Sequence, residues 1–217
     1  MSIKDNIISI ESKIPKGVKL ISVSKTKPVN DILEAYSTGV RDFGENKVQE
    51  LIEKIDQCPN DITWHLIGNL QTNKVKYIVG KVGLIQSLSS IKLLDKIEQE
   101  YQKRDLTANA LIQINIGREE SKGGFLVEEI DEVINKIKTC KHIKIHGIMT
   151  IIPKGSAESN RDYFRSTKMI FDNLNNLVGI ENIQMDILSM GMSNDYEIAI
   201  EEGSTMVRIG QGIFGTR

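Results

Sequence analysis

Short apolar runs alternate along the chain with longer stretches in which apolar residues recur every three or four positions. The short runs predict strands at Val18–Ser24, Val40–Phe43, Thr63–Ile67, Leu84–Ser87, Asn109–Ile116, Lys144–Thr150, Gln184–Leu188 and Met206–Ile209. Those at 20–23, 111–116 and 145–152 are rich in aliphatic residues, as parallel strands covered on both faces are. The helical period predicts helices over 2–13, 28–39, 45–57, 71–79, 88–102, 126–140, 158–178 and 194–202. In 126–140, Leu126, Ile130, Val133, Ile134 and Ile137 share one face, with Glu and Lys opposite. Residues 28–39 open on Pro28 and close at Gly39, which suits a helix that starts and stops there.

About eight strands alternate with about eight helices, and strict βα alternation implies right-handed crossovers and a parallel sheet. Eight units in 217 residues favour a closed (β/α)8 barrel over an open doubly wound sheet. No Pro-, Gly- or Ser-rich linker, composition shift or repeat interrupts the pattern, so residues 1–217 read as one α/β domain.

Composition narrows the class. Lys and Arg total 28 against 29 Asp and Glu, a net charge of −1, which argues against a nucleic-acid or polybasic membrane binder. No apolar run reaches the roughly 18 residues of a membrane span, and the N-terminus has no apolar signal core. Cys58 and Cys140 have no partner at metal or redox spacing and read as reduced thiols. A soluble cytoplasmic protein is expected.

In such a barrel the site lies at the C-terminal ends of the strands. Lys25 ends the first strand in VSKTKP; partial desolvation and Lys27 two residues on would lower its pKa and free the amine for Schiff-base chemistry, the alternative being a plain strand-end lysine. Arg208 sits in the apolar strand of MVRIGQG, before a Gly-x-Gly turn at Gly210–Gly212 whose amides suit a phosphate. A buried guanidinium needs a partner, either a ligand or a barrel carboxylate such as Glu45. Ser193, in LSMGMSND, is either a helix N-cap, a phosphate donor or both. These two loops follow the last two strands, where barrels commonly hold phosphate. His65 reads as a packed strand residue, and His142 and His146 make no helical metal pair. GREESKGGF at 117–125 reads as a surface loop, with Lys122 as its one candidate for a second anion.

Taken together, VSKTKP, FGEN at 43–46, WHLIGNLQTNK at 64–74, INIGREESKGGF at 114–125, HGIMTI at 146–151 and LSMGMSNDYEIAIEEGSTMVRIGQGIFG at 188–215 resemble the pyridoxal 5′-phosphate (PLP) homeostasis protein family, which is alanine racemase N-terminal-domain-like. The resemblance covers nearly the whole chain, in order. It implies a fold-type III PLP-binding barrel with Lys25 forming an internal aldimine with PLP. Arg208 would face the pyridine nitrogen and keep it unprotonated, making the ring a poor electron sink. Ser193 and the backbone at Gly210 and Gln211 would hold the phosphate. Asn46 would lie beside the ring, and Met149 and Ile67 would form its walls. Gln211 departs from the small residue common there in the family.

The related racemases carry a second, β-rich domain that supplies an opposite-face tyrosine. This sequence ends just past the last barrel strand, so the expectation is a barrel lacking that domain. Racemisation needs acid or base groups on both faces. Tyr196 and Lys27 are the nearest candidates by sequence for the second one. The resemblance therefore implies a non-catalytic PLP carrier that supplies apo-enzymes, and a small barrel with no long apolar exposed stretch is expected to be a monomer. A weak amino-acid racemase and a Schiff-base aldolase using Lys25 are the alternatives.

Overall fold

The computed structural model describes residues 2–119, 122–176 and 180–215. Eight parallel strands run β1 (Lys19–Val23), β2 (Asp42–Glu45), β3 (Thr63–Leu66), β4 (Leu84–Leu88), β5 (Ala108–Ile114), β6 (Ile143–Thr150), β7 (Ile183–Ser189) and β8 (Met206–Ile209). Each pairs with its neighbours in sequence, and β8 returns to β1 to close the barrel, with Ile21 opposite Arg208. The predicted (β/α)8 architecture is therefore the observed one.

The helices are α1 (Ile3–Glu11), α2 (Val29–Tyr36), α3 (Val48–Ile55), α4 (Val75–Ile78), α5 (Ile91–Gln102), α6 (Ile130–Ile137), α7 (Ala157–Asn175), α8 (Tyr196–Glu201) and α9 (Gln211–Phe214). Their starts are chemically marked. Ser2 and Asp5 form a reciprocal capping box on α1, and the Ser90 and Ser156 hydroxyls accept the amides of Leu93 and Ser159 on α5 and α7.

Several boundaries differ from those read in the sequence. β2 spans Asp42–Glu45 rather than Val40–Phe43, because its last residue is a buried carboxylate that an apolar run cannot register. Leu88 ends β4 instead of opening α5, whose N-cap is Ser90. The segments 71–79 and 126–140 begin as 3-10 turns before becoming α4 and α6. Helix α9, too short to show a period, was not predicted at all. Residues 177 and 178 of the predicted 158–178 helix lie outside the described residues.

Apolar packing forms two layers. Ile21, Leu84, Leu111, Met149 and Met206 meet inside the barrel. A much larger set lies between strands and helices, including Phe43 and Trp64, whose ring centroids are 6.0 Å apart. Alternation along each strand assigns residues to one layer or the other. Arg208 shares the inner face with Met206, and Glu45 shares the outer face with Phe43.

Candidate functional site

Closure of β8 onto β1 brings the two ends of the chain together at one rim. Lys25 lies two residues past β1, and Gly210 packs on the end of that strand: a Cβ at Gly210 would sit 3.2 Å from the Val23 carbonyl oxygen. Lys25 is half-buried.

The turn carrying Lys25 is clamped from α3. Thr26 adopts a left-handed φ of 64°, a strained choice for a β-branched residue, and its amide donates to Glu50. Lys54 is buried beneath, donating to the Ser24 carbonyl at 2.9 Å, to Glu45 Oε1 at 2.8 Å and to Glu50 Oε1 at 2.6 Å. The Ser24 hydroxyl adds a 2.6 Å bond to Glu45 Oε1. Burial pushes the Glu45 carboxyl up, against the pull of Lys54 and Ser24.

Arg208 is buried, 4% exposed, as the sequence required of a residue in an apolar strand. Nη1 donates to Ser189 Oγ at 2.6 Å and Nη2 to the Thr150 carbonyl at 2.8 Å. The alternative bridge to Glu45 does not form, because Glu45 faces outward and is taken by Lys54. Burial brings the Arg208 pKa down to about 10, with the charge of Asp195 opposing the shift.

The loops after β7 and β8 meet. Ser193 Oγ accepts the Gly212 amide at 3.2 Å, which leaves its own proton to donate elsewhere. Ser193 is not the N-cap of α8. That position belongs to Asp195, whose carboxylate accepts the Met192 amide at 2.6 Å. Gly191 makes the turn possible with φ 93°; a Cβ there would come within 2.6 Å of the Ala199 side chain. Gln211 is the exposed first residue of α9, and its carbonyl accepts the Gly215 amide.

Asn46 is half-buried just past β2, in contact with the next strand's end: a Cβ on Gly68 would meet the Asn46 carbonyl at 2.3 Å. Met149 is fully buried inside the barrel opposite Ser189, and Ile67 is buried beside Gly44. The fold thus brings Lys25, Arg208, Ser193, Gly210 and Gln211 to the β7–β8–β1 sector, and Asn46 to the β2 end next to it.

The other candidates lie in other surroundings. The Tyr196 hydroxyl donates to Glu197, which also pairs with Lys13 on α1. Lys27 Nζ donates to the Phe214 carbonyl at 2.8 Å. Lys122 donates to the Ile152 carbonyl at 2.8 Å and pairs with Glu119; Glu120 and Ser121 of its loop lie outside the described residues. His65 is packed inside the barrel, but in a polar network that sequence spacing could not reveal, with Asp42 and Gln86 as partners. Cys58 and Cys140 are buried and unpaired, and burial raises the Cys140 thiol to about 11. Among the described residues no group of His, Cys, Asp and Glu could hold a metal, and no helix is long and apolar enough to cross a membrane.

An amine just past the first strand, a buried guanidinium on the last, and the Ser193–Gly212 contact beside them share one rim, a set of groups chemically suited to a phosphorylated carbonyl compound. The profile of the family described as alanine racemase, N-terminal domain, matches residues 1–217. The chain belongs to that family and, within it, to the pyridoxal phosphate homeostasis proteins. It is 43% identical to the pyridoxal phosphate homeostasis protein of Aquifex aeolicus (strain VF5), over 92% of this chain and 87% of the relative. It is 38% identical to that of Haemophilus influenzae, over 100% and 97%, and 41% to that of Mus musculus, over 92% and 77%. Two solved structures of PipY from Synechococcus elongatus, 31% identical, superpose with TM-scores of 0.93 without PLP and 0.90 with PLP bound. Both cover 99% of this chain and 100% of theirs. An alanine racemase of Clostridium difficile 630 shares the fold at 17% identity and TM-score 0.81, this chain covering 57% of its length.

Proposed function

We propose that this protein binds pyridoxal 5′-phosphate without turning over a substrate and serves PLP homeostasis, holding the cofactor on Lys25 and releasing it to apo-enzymes. The observation that carries this reading is the convergence of Lys25, Arg208 and the Ser193–Gly212 link on adjacent strands of one rim. The donor set fits the group: an amine for the aldehyde, a hydroxyl and turn amides for the phosphate, a guanidinium for the ring nitrogen. Names and contents of relatives agree, since PipY is known with PLP bound.

Bound PLP supplies a reversibly condensing aldehyde and an electron-withdrawing ring. Each residue of this chain then has a task. The α3 clamp orients the Lys25 turn. Ser193 Oγ, which accepts the Gly212 amide, would donate its proton to the phosphate. Gly210 and Gln211 present backbone to the same phosphate. Asn46 would border the ring, and Met149 would contribute to its wall. Arg208 would face the ring nitrogen, and its positive charge would disfavour protonation there and so make the ring a poorer electron sink.

The non-catalytic part of the reading is supported by the engagement of Tyr196 and Lys27, the two second-base candidates, with Glu197 and the Phe214 carbonyl. A monomer in the cytoplasm is the form we propose for the carrier. The test is the visible spectrum of wild type and Lys25→Ala titrated with PLP, joined to an alanine racemisation assay and a transfer assay to a PLP-dependent apo-enzyme. A band present in wild type, reducible by borohydride onto Lys25 and lost in the variant, is expected, with racemisation no faster than free PLP and with apo-enzyme activation. A wild type that stays colourless overturns the cofactor. Lys25-dependent racemisation overturns the carrier role.

A further inference from the structure

Barrel interiors of this class are filled mainly by branched apolar side chains. Here a polar line crosses the interior, from Asp42 at the start of β2 to Arg208 near the end of β8. We propose that Ser189, Gln86 and His65 are positioning residues for Arg208: they form a one-directional hydrogen-bond chain that holds the guanidinium toward the ligand, and the chain stands only while His65 is the neutral Nε2–H tautomer. This rests on the reading of Arg208 as the group that meets the ring.

The proton placement follows link by link. Arginine can only donate, so Ser189 Oγ, 2.6 Å from Nη1, must accept. Its own proton then goes to Gln86 Oε1 at 2.7 Å. With Oε1 accepting, Gln86 Nε2 faces two acceptors, His65 Nδ1 at 3.2 Å and Met206 Sδ at 3.2 Å. Nδ1 must therefore be bare, and the ring proton sits on Nε2, donated to Asp42 Oδ1 at 2.9 Å. Asp42 also receives Lys19 Nζ at 3.1 Å. This assignment gives each link from Arg208 through Ser189, Gln86 and His65 to Asp42 one donor and one acceptor.

The arrangement explains how Arg208 is fixed without being neutralised. Its hydrogen-bond partners are a hydroxyl and a carbonyl, so orientation is imposed while the charge remains for the ligand. The carboxylate that terminates the chain lies at the other end of the barrel. A doubly protonated His65 would set Nδ1–H against the Gln86 NH2. Turning the amide to relieve this would aim two donors, Gln86 Nε2 and Arg208 Nη1, at Ser189 Oγ. The groups around His65 are Asp42 from β2, Lys19 from β1 and Gln86 from β4; burial and the Lys19 charge resist protonation, Asp42 favours it, and the balance is downward. A buried polar chain that is fully satisfied specifies one arrangement; a broken one is costly.

The test separates the chain from the cofactor reading. Nitrogen-15 NMR of histidine-labelled, ligand-free protein should show His65 as the Nε2–H tautomer, with Nδ1 unprotonated, from neutral to mildly acid pH. PLP titrations then compare wild type, Ser189→Ala, Ser189→Thr and Gln86→Met, each checked for folding by circular dichroism. Ser189→Ala and Gln86→Met should still form the borohydride-reducible adduct on Lys25, but with a shifted visible band and about tenfold weaker binding, the loss of one charged hydrogen bond. Ser189→Thr, which keeps the hydroxyl, should restore the wild-type band. An Nδ1–H or cationic His65, or a folded Ser189→Ala with wild-type spectrum and affinity, overturns the proposal. A wild type that binds no PLP removes the cofactor reading, and the NMR result alone then decides the chain.

Discussion

Lys54 Nζ lies 2.8 Å from Glu45 Oε1, with both side chains buried under the turn that carries Lys25. A buried charge stripped of its partner is expensive, whereas the intact pair is close to neutral in stability. Lys54→Ala should therefore cost about 3–5 kcal/mol in urea denaturation. It should also slow adduct formation at Lys25, because Lys54 holds the Ser24 carbonyl and Glu50, which in turn holds the Thr26 amide. A loss under about 1 kcal/mol would place this pair among ordinary surface bridges.

Ser193→Ala should leave the fold intact and weaken PLP. Its hydroxyl oxygen accepts the Gly212 amide at the rim, outside the two apolar layers. Losing its hydroxyl donor should cost about 1.5–3 kcal/mol of phosphate binding, read as Kd by titration of the visible band. Unchanged affinity would take Ser193 out of the site.

Gly147→Ala tests a strand irregularity. The β6–β7 register shifts between Ile145 and Gly147, and Gly147 takes φ 145°. A Cβ there would fall 1.8 Å from the Ile187 carbonyl oxygen, on backbone that cannot step aside. The substitution should destabilise by about 3 kcal/mol or prevent soluble expression, seen as a lowered midpoint in thermal unfolding.

Stability should fall with acid in a window set by His65. Its folded-state pKa lies below the ordinary value of 6.5, chiefly through burial, so the unfolded chain binds more protons between the two values. Stability is full above pH about 6.5 and declines below it, levelling once the folded pKa is passed. His146 shifts the same way, so the comparison is with His65→Asn, which should flatten part of the slope of denaturation midpoint against pH. An identical slope in that variant would assign the effect to other groups.

Periodicity determined the barrel. Continuous aliphatic runs and amphipathic stretches report burial on two faces or one, and burial is what distinguishes a parallel strand from its covering helix. The candidates near strand ends, Lys25, Arg208, Ser193 and the Gly210–Gly212 turn, were legible because βα topology assigns function to strand ends, whereas Asn46 came from the resemblance. The resemblance added roles to those positions.

What only tertiary structure decided is pairing. That Ser193 meets Gly212, that Lys54 rather than Arg208 takes Glu45, and that Ser189, Gln86, His65 and Asp42 join inside the barrel all follow from closure of eight strands. Glu45 and Ser189 fall outside the predicted strands and Gln86 inside one, and a linear pattern records that a residue is polar but not which partner satisfies it. Inward or outward facing depends on register, which shifts at bulges such as those in β5–β6 and β6–β7. Hydrogen bonds between residues 103 and 21 positions apart, as at Ser189–Gln86 and Gln86–His65, leave no local period. They exist because the closed sheet places those side chains on one interior face at bonding distance.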